Sequence, residues 1–279
     1  MMNKILILFV ALCIAAGIFY VVYRNKQKTA SKVDQMTSWL AKINKNFAGQ
    51  QSGSFLGVDK LGNSVSFEWN FVNAWSPKFF EISKGLASFI AQTWTPIEID
   101  HLKAYPAEAE KNPAIKQFFA HGIQNVDWKQ VEVSMTQSLK EMMESDPRKS
   151  DFWGHYDSSL FVIAKEKETG NMLGFIQFLF KNSYTYGSVN LGNLGVDEKS
   201  RNRGLGKLLT SSLYKLLPQT KCIFLYVRPS NKTGQAAYHA YGFVRDLDPI
   251  ADPMFADMWL FEYTSSQKNI LQETASRLQ

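Results

Sequence analysis

Seven consecutive residues, Arg201-Asn202-Arg203-Gly204-Leu205-Gly206-Lys207, combine three cations with two glycines. Such a stretch suits an anion. Glycine lacks a Cβ, so the backbone can approach a ligand closely. The residues that follow, Leu205, Leu208, Leu209, Leu213, Leu216 and Leu217, recur at three- and four-residue spacing and predict a helix, which Pro218 ends. The first N–H groups of a helix have no intrahelical partner. They favour an anion by ~0.3–1 kcal/mol when exposed and by up to about 2 kcal/mol when partly buried. An apolar, β-prone run ends at Leu194-Gly195-Val196 just before the turn. Strand, basic turn and helix together read as a pyrophosphate site, the competing reading being a loop with solvated charges. The P-loop pattern is not met, and the dinucleotide fingerprint fails because no glycine stands three places after Gly206.

A second constellation follows. Cys222–Val227 reads as a buried strand; Asn231 comes after it, Tyr238 seven residues on, and Gly242-Phe243 eleven and twelve residues on. A phenol of pKa ~10 can donate a proton to a group within hydrogen-bond reach. The pattern R-x-x-G-x-G (Arg201, Gly204, Gly206) after a strand ending in Val, followed by Asn…Tyr…Gly-Phe, resembles the GCN5-related N-acetyltransferase (GNAT) family over about residues 93–266. Gly234 stands where that family usually has Ala, which weakens the helix start slightly.

The resemblance implies an α/β GNAT fold with a mixed, mostly antiparallel central sheet flanked by helices. It implies acetyl-CoA as cosubstrate and transfer of the acetyl group to a primary amine by direct attack. Backbone groups of Leu194 and Val196 would pair with the pantetheine arm like an added strand. The Val196 N–H would polarise the thioester oxygen. Backbone N–H groups across Arg201, Asn202, Arg203, Gly204, Leu205, Gly206 and Lys207 would hold the pyrophosphate, and Asn231 would bond the pantetheine arm. Tyr238 would be the general acid, the bland alternative being packing beside Tyr241.

A lysine-like amine of pKa ~10.4 is neutral only about once in 2,500 molecules at pH 7, so a base or a desolvated site helps the attack. Many family members place a Glu on the strand before the turn. This strand offers only Ser188, Asn190 and Asn193 as polar members. Glu98, Asp100, His101, His155 and Asp157 are the substitutes, directly or through water. That missing carboxylate supports the rival reading of a catalytically silent, CoA- or protein-binding module.

The elements that must position these groups come in chain order. Ser54–Val72 predicts a hairpin with a turn at Asp59–Asn63, and Lys78–Gln92 a helix. Thr95–Leu102 is the expected first strand of the catalytic domain, followed by helices over Ala107–His121 and Trp128–Ser145. Leu160–Lys165, Met172–Phe180 and Ser188–Val196 are expected strands, and Met258–Tyr263 the last one. The acidic loop Asp246–Asp257 would attract a cationic amine or simply be solvated.

Residues Ile5–Tyr23 are uncharged and almost wholly apolar, and as a helix would span roughly 28 Å. Lys4 flanks one side; Arg24, Lys26 and Lys28 flank the other, which places the C-terminal side in the cytoplasm. A cleaved signal segment, with secretion, is the alternative. The expected organisation is thus an anchor over 1–28, an N-terminal α+β extension over 29–92 without assigned role, the acetyltransferase domain over 93–266, and a polar tail over 267–279. A formal charge of +6 suits an anionic cosubstrate or membrane surface and is too mild to argue for nucleic acid. Two cysteines, Cys13 and Cys222, provide no disulfide framework, and no Cys/His cluster has metal-ligand spacing.

Overall fold

Val65, Phe67, Trp69 and Phe71 alternate along β2 (Ser64–Asn73) and all four are buried, as a period of two requires. The computed structural model describes residues 39–111, 114–145, 156–184, 186–246, 259–264 and 269–279. The turn at Asp59–Asn63 joins β2 to β1 (Ser52–Val58), so the expected hairpin is present. It is no appendage, because β2 pairs antiparallel with β3 (Ser158–Glu166) from Val65↔Glu166 to Asn73↔Ser158. The sheet continues through β4 (Met172–Phe180), β5 (Ser188–Val196) and β6 (Cys222–Val227). Its far side carries β7 (Val244–Arg245) and β8 (Trp259–Thr264), giving the order β1-β2-β3-β4-β5-β6-β8-β7 among the described residues. Among the described strands only β5 and β6 run parallel.

Helices cover both faces. On one lie the helix of residues 39–47 (α1), α4 (Leu205–Leu216) and α6 (Ile270–Ala275), against Leu160, Val162, Ile176 and Phe178. On the other lies α2 (Pro77–Ala104), whose Phe79, Ile82, Leu86 and Ile90 pack on Phe161 and Phe175. Its outer end packs on α3 (Trp128–Ser145) through Ile99, Leu102, Val131 and Met135. The remaining helix, α5 (Lys232–Tyr241), follows β6.

Three expectations are corrected. Thr95–Leu102 is helical, forming the last turns of α2 in spite of Pro96. The proline removes one helix N–H and crowds the carbonyl four residues back. The Thr93 and Thr95 hydroxyls bond to the carbonyls of Phe89 and Ala91 at 2.9 and 2.7 Å, and Ile99 and Leu102 are buried at helical spacing. Tertiary packing on α3 therefore outweighs the alternation of Ile97 and Ile99. Ala107–His121 is no regular helix but holds 3-10 turns at Pro106–Lys111 and Lys116–Phe119, a segment with Pro106 and Pro113 in its sequence. The expected polar tail carries α6, whose Leu271 and Ala275, with Leu278 beyond, are buried on α4 and β1; Gln279 and Leu56 exchange backbone hydrogen bonds of 2.8 and 3.0 Å.

The expected membrane segment, His155 and most of the acidic loop lie outside the described residues. Among the described residues, no helix is long and apolar enough to cross a membrane.

Candidate functional site

The sheet splits where the two central strands should meet. β5 and β6 pair only over Ser188↔Cys222, Val189↔Ile223 and Asn190↔Phe224, and from Leu191 onward β5 has no strand on that side among the described residues. A bulge starts the divergence: Gln177 faces Asn193 while its neighbour Phe178 faces Leu191, leaving Gly192 as the extra residue. Bulges bend the strand and tighten its twist. A side chain on Gly192 would run into the buried Leu179.

The open edge is aimed by strand alternation. Asp197 N–H donates to Leu173 O on the β4 side at 2.9 Å. The polar backbone groups of Val196 and Leu194 therefore turn the other way, into the gap. This is the orientation an extended ligand needs to add as a strand. Above the gap, a Cβ on Gly195 would lie 3.0 Å from Thr93 Oγ1, so α2 rests directly on β5.

At the end of β5 the chain passes Glu198–Ser200 and enters the basic turn. Gly204 is the N-cap of α4 with φ +80°, a left-handed conformation that favours glycine, and it caps with no side-chain bond. The first N–H groups of α4 thus face outward without an intrahelical partner. Arg201 and Asn202 are exposed and Lys207 is half-buried. Arg203 departs from expectation: its Nε donates to Asp59 Oδ2 at 2.6 Å, and its carbonyl accepts from Lys60 N at 3.0 Å. Its charge is taken up by the hairpin turn. Of the three cations of the turn, Arg201 and Lys207 remain for an anion.

Across the gap, Asn231 caps α5 by accepting from Gly234 N at 2.8 Å. Its carbonyl oxygen is occupied, which leaves the Nδ2 donors for a ligand. Gln235 Nε2 donates to the carbonyls of Arg228 and Pro229 at 3.0 and 2.9 Å, fixing the loop after β6. Tyr238 packs edge-on against Phe243 and Tyr241, with ring centroids 5.6 and 6.3 Å away. Among the described residues its hydroxyl has no hydrogen-bond partner. Burial, with Tyr241 adding to it, pushes the Tyr238 phenol well above the usual range, so it keeps its proton. Burial likewise pushes Tyr241 up to about 12. The Tyr241 hydroxyl lies where a Cβ on Gly206 would go, so α5 touches the start of α4.

The base candidates separate. Asp157 stands at the sheet end opposite Val196 and accepts from Asn182 N at 2.6 Å, a turn role. Asp100 is exposed on α2. Glu98 and His101 converge on the loop after β6. Arg228 donates from Nε to Glu98 at 3.1 Å, and its guanidinium lies 3.0 Å from Nε2 of the buried His101. Glu108 lies 3.1 Å from that same Nε2, and Ser230 Oγ lies 3.2 Å from Nδ1. This network ties α2 to the entry of α5. On β5 itself, Asn193 Nδ2 donates to Gln177 Oε1 at 2.6 Å, and Gln177 Nε2 donates to Ser159 at 3.1 Å, a buried amide ladder without a carboxylate. Among the described residues no His, Cys, Asp and Glu group is arranged to hold a metal.

The sequence reading gave no site role to Asp59, Lys60, Arg228 or Tyr241. Asp59 and Arg203 are 144 residues apart, and no local spacing rule joins them.

Residues 115–243 match the family model described as the acetyltransferase (GNAT) family. No curated protein matches the chain. Among solved structures, the PaiA N-acetyltransferase of Thermoplasma acidophilum in complex with coenzyme A is similar at 17% identity and a TM-score of 0.35, over 64% of this chain and 95% of that one. The ribosomal-protein-S18-alanine N-acetyltransferase of Escherichia coli is similar at 22% identity and a TM-score of 0.30, over 38% and 68%. A variant of the SpeG spermidine N-acetyltransferase of Vibrio cholerae is similar at 11% identity and a TM-score of 0.34, over 74% and 98%.

Proposed function

We propose that this chain, assigned to the GNAT family through residues 115–243, moves an acetyl group from acetyl-CoA to a primary amine. The observation that carries this reading is the gap between β5 and β6, lined by the free backbone edge of Leu194 and Val196 and closed by the basic turn at one end. In this reading the pantetheine arm lies along β5, the backbone from Arg201 to Lys207 holds the diphosphate, and Asn231 donates to the arm. The Val196 N–H stabilises the oxyanion as the neutral amine attacks the thioester carbonyl. The C–S bond then breaks, and Tyr238, half-buried and still protonated, donates its proton to the leaving sulfur. The amine loses its own proton to Glu98 or His101 through water, or to solvent.

The test is thiol release from acetyl-CoA with a panel of amines, using Tyr238→Phe as control. Amine-dependent release that falls in the variant supports transfer. Binding of coenzyme A without turnover of any amine supports the second reading, a silent module, which the carboxylate-free amide ladder Asn193–Gln177–Ser159 favours. Failure to bind coenzyme A overturns transfer and leaves of the second reading only a protein-binding module.

The apolar run Ile5–Tyr23 and its basic flank support a single-pass anchor holding the domain in the cytoplasm, where acetyl-CoA is made. Protease protection of membrane vesicles tests the orientation.

A further inference from the structure

The hairpin at Asp59–Asn63 reaches the basic turn from a part of the chain outside the matched family segment. It is held there by two bonds, Arg203 Nε to Asp59 Oδ2 at 2.6 Å and Lys60 N–H to Arg203 O at 3.0 Å. The backbone of Lys60 is therefore placed, and its exposed side chain runs along the turn. A Cβ on Gly204 would lie 3.0 Å from Lys60 Cγ and 3.2 Å from Cε. Lys207 comes from the first turn of α4, and Arg277 from just beyond α6, which packs on α4. Burial first, then the charges of Arg277 and Lys60, hold the Lys207 amine below its usual range, with Glu273 opposing. Lys207 thus feels cations from two distant segments, Lys60 and Arg277, with the Glu273 carboxylate against them. Like charges held together are unfavourable unless an anion joins them.

We infer that Lys60, carried by the N-terminal hairpin, and Lys207 together bind a phosphate of coenzyme A at the mouth of the gap, with Arg277 adding to the field. This rests on the coenzyme A reading above and deepens it, because it gives the hairpin a role in cofactor binding. The bound group is a phosphate monoester or diphosphate oxygen, taken up by charge-assisted N–H···O bonds. Coenzyme A offers two sources, its diphosphate and its 3′-phosphate.

Calorimetric titration of the full chain with coenzyme A, dephospho-CoA and pantetheine tests this, using Lys60→Met, Lys60→Arg and, as a remote control, Lys116→Met. Lys60 is exposed in a turn, and a thermal midpoint unchanged by Lys60→Met certifies the fold. The expected result is coenzyme A binding weakened ~10-fold in Lys60→Met, restored in Lys60→Arg and unaltered in Lys116→Met, with pantetheine indifferent to all three. Loss for coenzyme A alone assigns the 3′-phosphate; loss for dephospho-CoA as well assigns the diphosphate. Coenzyme A binding that is equal in wild type and Lys60→Met overturns the inference while leaving the cofactor reading standing. Absence of coenzyme A binding in the wild type overturns both.

Discussion

The Arg203 guanidinium is joined to Asp59 by an Nε–H···Oδ2 bond of 2.6 Å, and this links the tip of the N-terminal hairpin to the turn that begins α4. The Asp59 carboxylate is wholly buried, and it also accepts from Leu61 N and Asn63 N at 2.9 Å each. One carboxylate therefore shapes the β1–β2 turn and orients the neighbouring one.

Asp59→Ala is expected to destabilise the protein by about 1–3 kcal/mol, because several donors lose a buried acceptor at once. It should also weaken coenzyme A binding through the displaced turn. Burial raises the Asp59 pKa, but the bonds from Asn63, Arg203 and Leu61 outweigh it and leave the group below its usual value. The stabilisation from a depressed carboxylate is present above the unfolded pKa of ~3.9 and is lost as pH falls through the folded value. Denaturant melts at pH 7 and pH 3 should show the difference between wild type and Asp59→Ala shrinking only at the acid end. A difference already lost at pH 6 would refute the assignment.

Tyr238→Phe should lower kcat by roughly 10²–10⁴-fold and leave the affinity for acetyl-CoA nearly unchanged. Since the hydroxyl has no partner among the described residues, the melting temperature should hardly move. The pH profile gives a second check. A phenol raised by burial stays protonated through the working range, so activity should climb with pH as the amine deprotonates and show no fall from this group below about pH 10. An alkaline limb with a midpoint near 8 that vanishes in the variant would contradict the buried-acid role.

Arg228→Met removes the cation that Glu98 and His101, both on α2, share, and leaves the carboxylate and the imidazole without that donor from the loop after β6. The expected cost is about 1–3 kcal/mol. Hydrogen exchange should accelerate in α5 and in the last turns of α2 but not in β1–β4. Uniform acceleration would mean that the network stabilises the whole fold rather than this corner.

Gly206→Ala places a methyl group on the Tyr241 hydroxyl, so the Tyr241 ring, and α5 with it, is pushed away from α4. Overpacking of this kind costs typically about 1–3 kcal/mol. Because α5 also carries Tyr238 and follows Asn231, the variant should raise KM for acetyl-CoA and lower kcat together. Gly206→Ala/Tyr241→Phe should recover much of the loss, and steady-state kinetics of the pair measure the coupling.

Local signals sufficed where a segment's own residues decide its conformation. The leucine spacing of α4, the strand β4 at Met172–Phe180 and the helix α3 at Trp128–Ser145 stand as read from sequence. Positive-φ demand at Gly204 and the Asn231 cap are likewise written in residue type and order. Tertiary contact decided the rest. Pro96 stays helical because α3 packs on Ile99 and Leu102; the last residues fold because Leu271 and Leu278 find a buried site on α4 and β1; and Arg203 turns to the hairpin because folding brings against it a carboxylate 144 positions earlier. Periodicity reports which face of a segment is apolar, but not what covers it. A charge in a sequence has no partner until folding brings one, so the division of the basic turn into one bound cation and two available ones belongs to the three-dimensional structure alone.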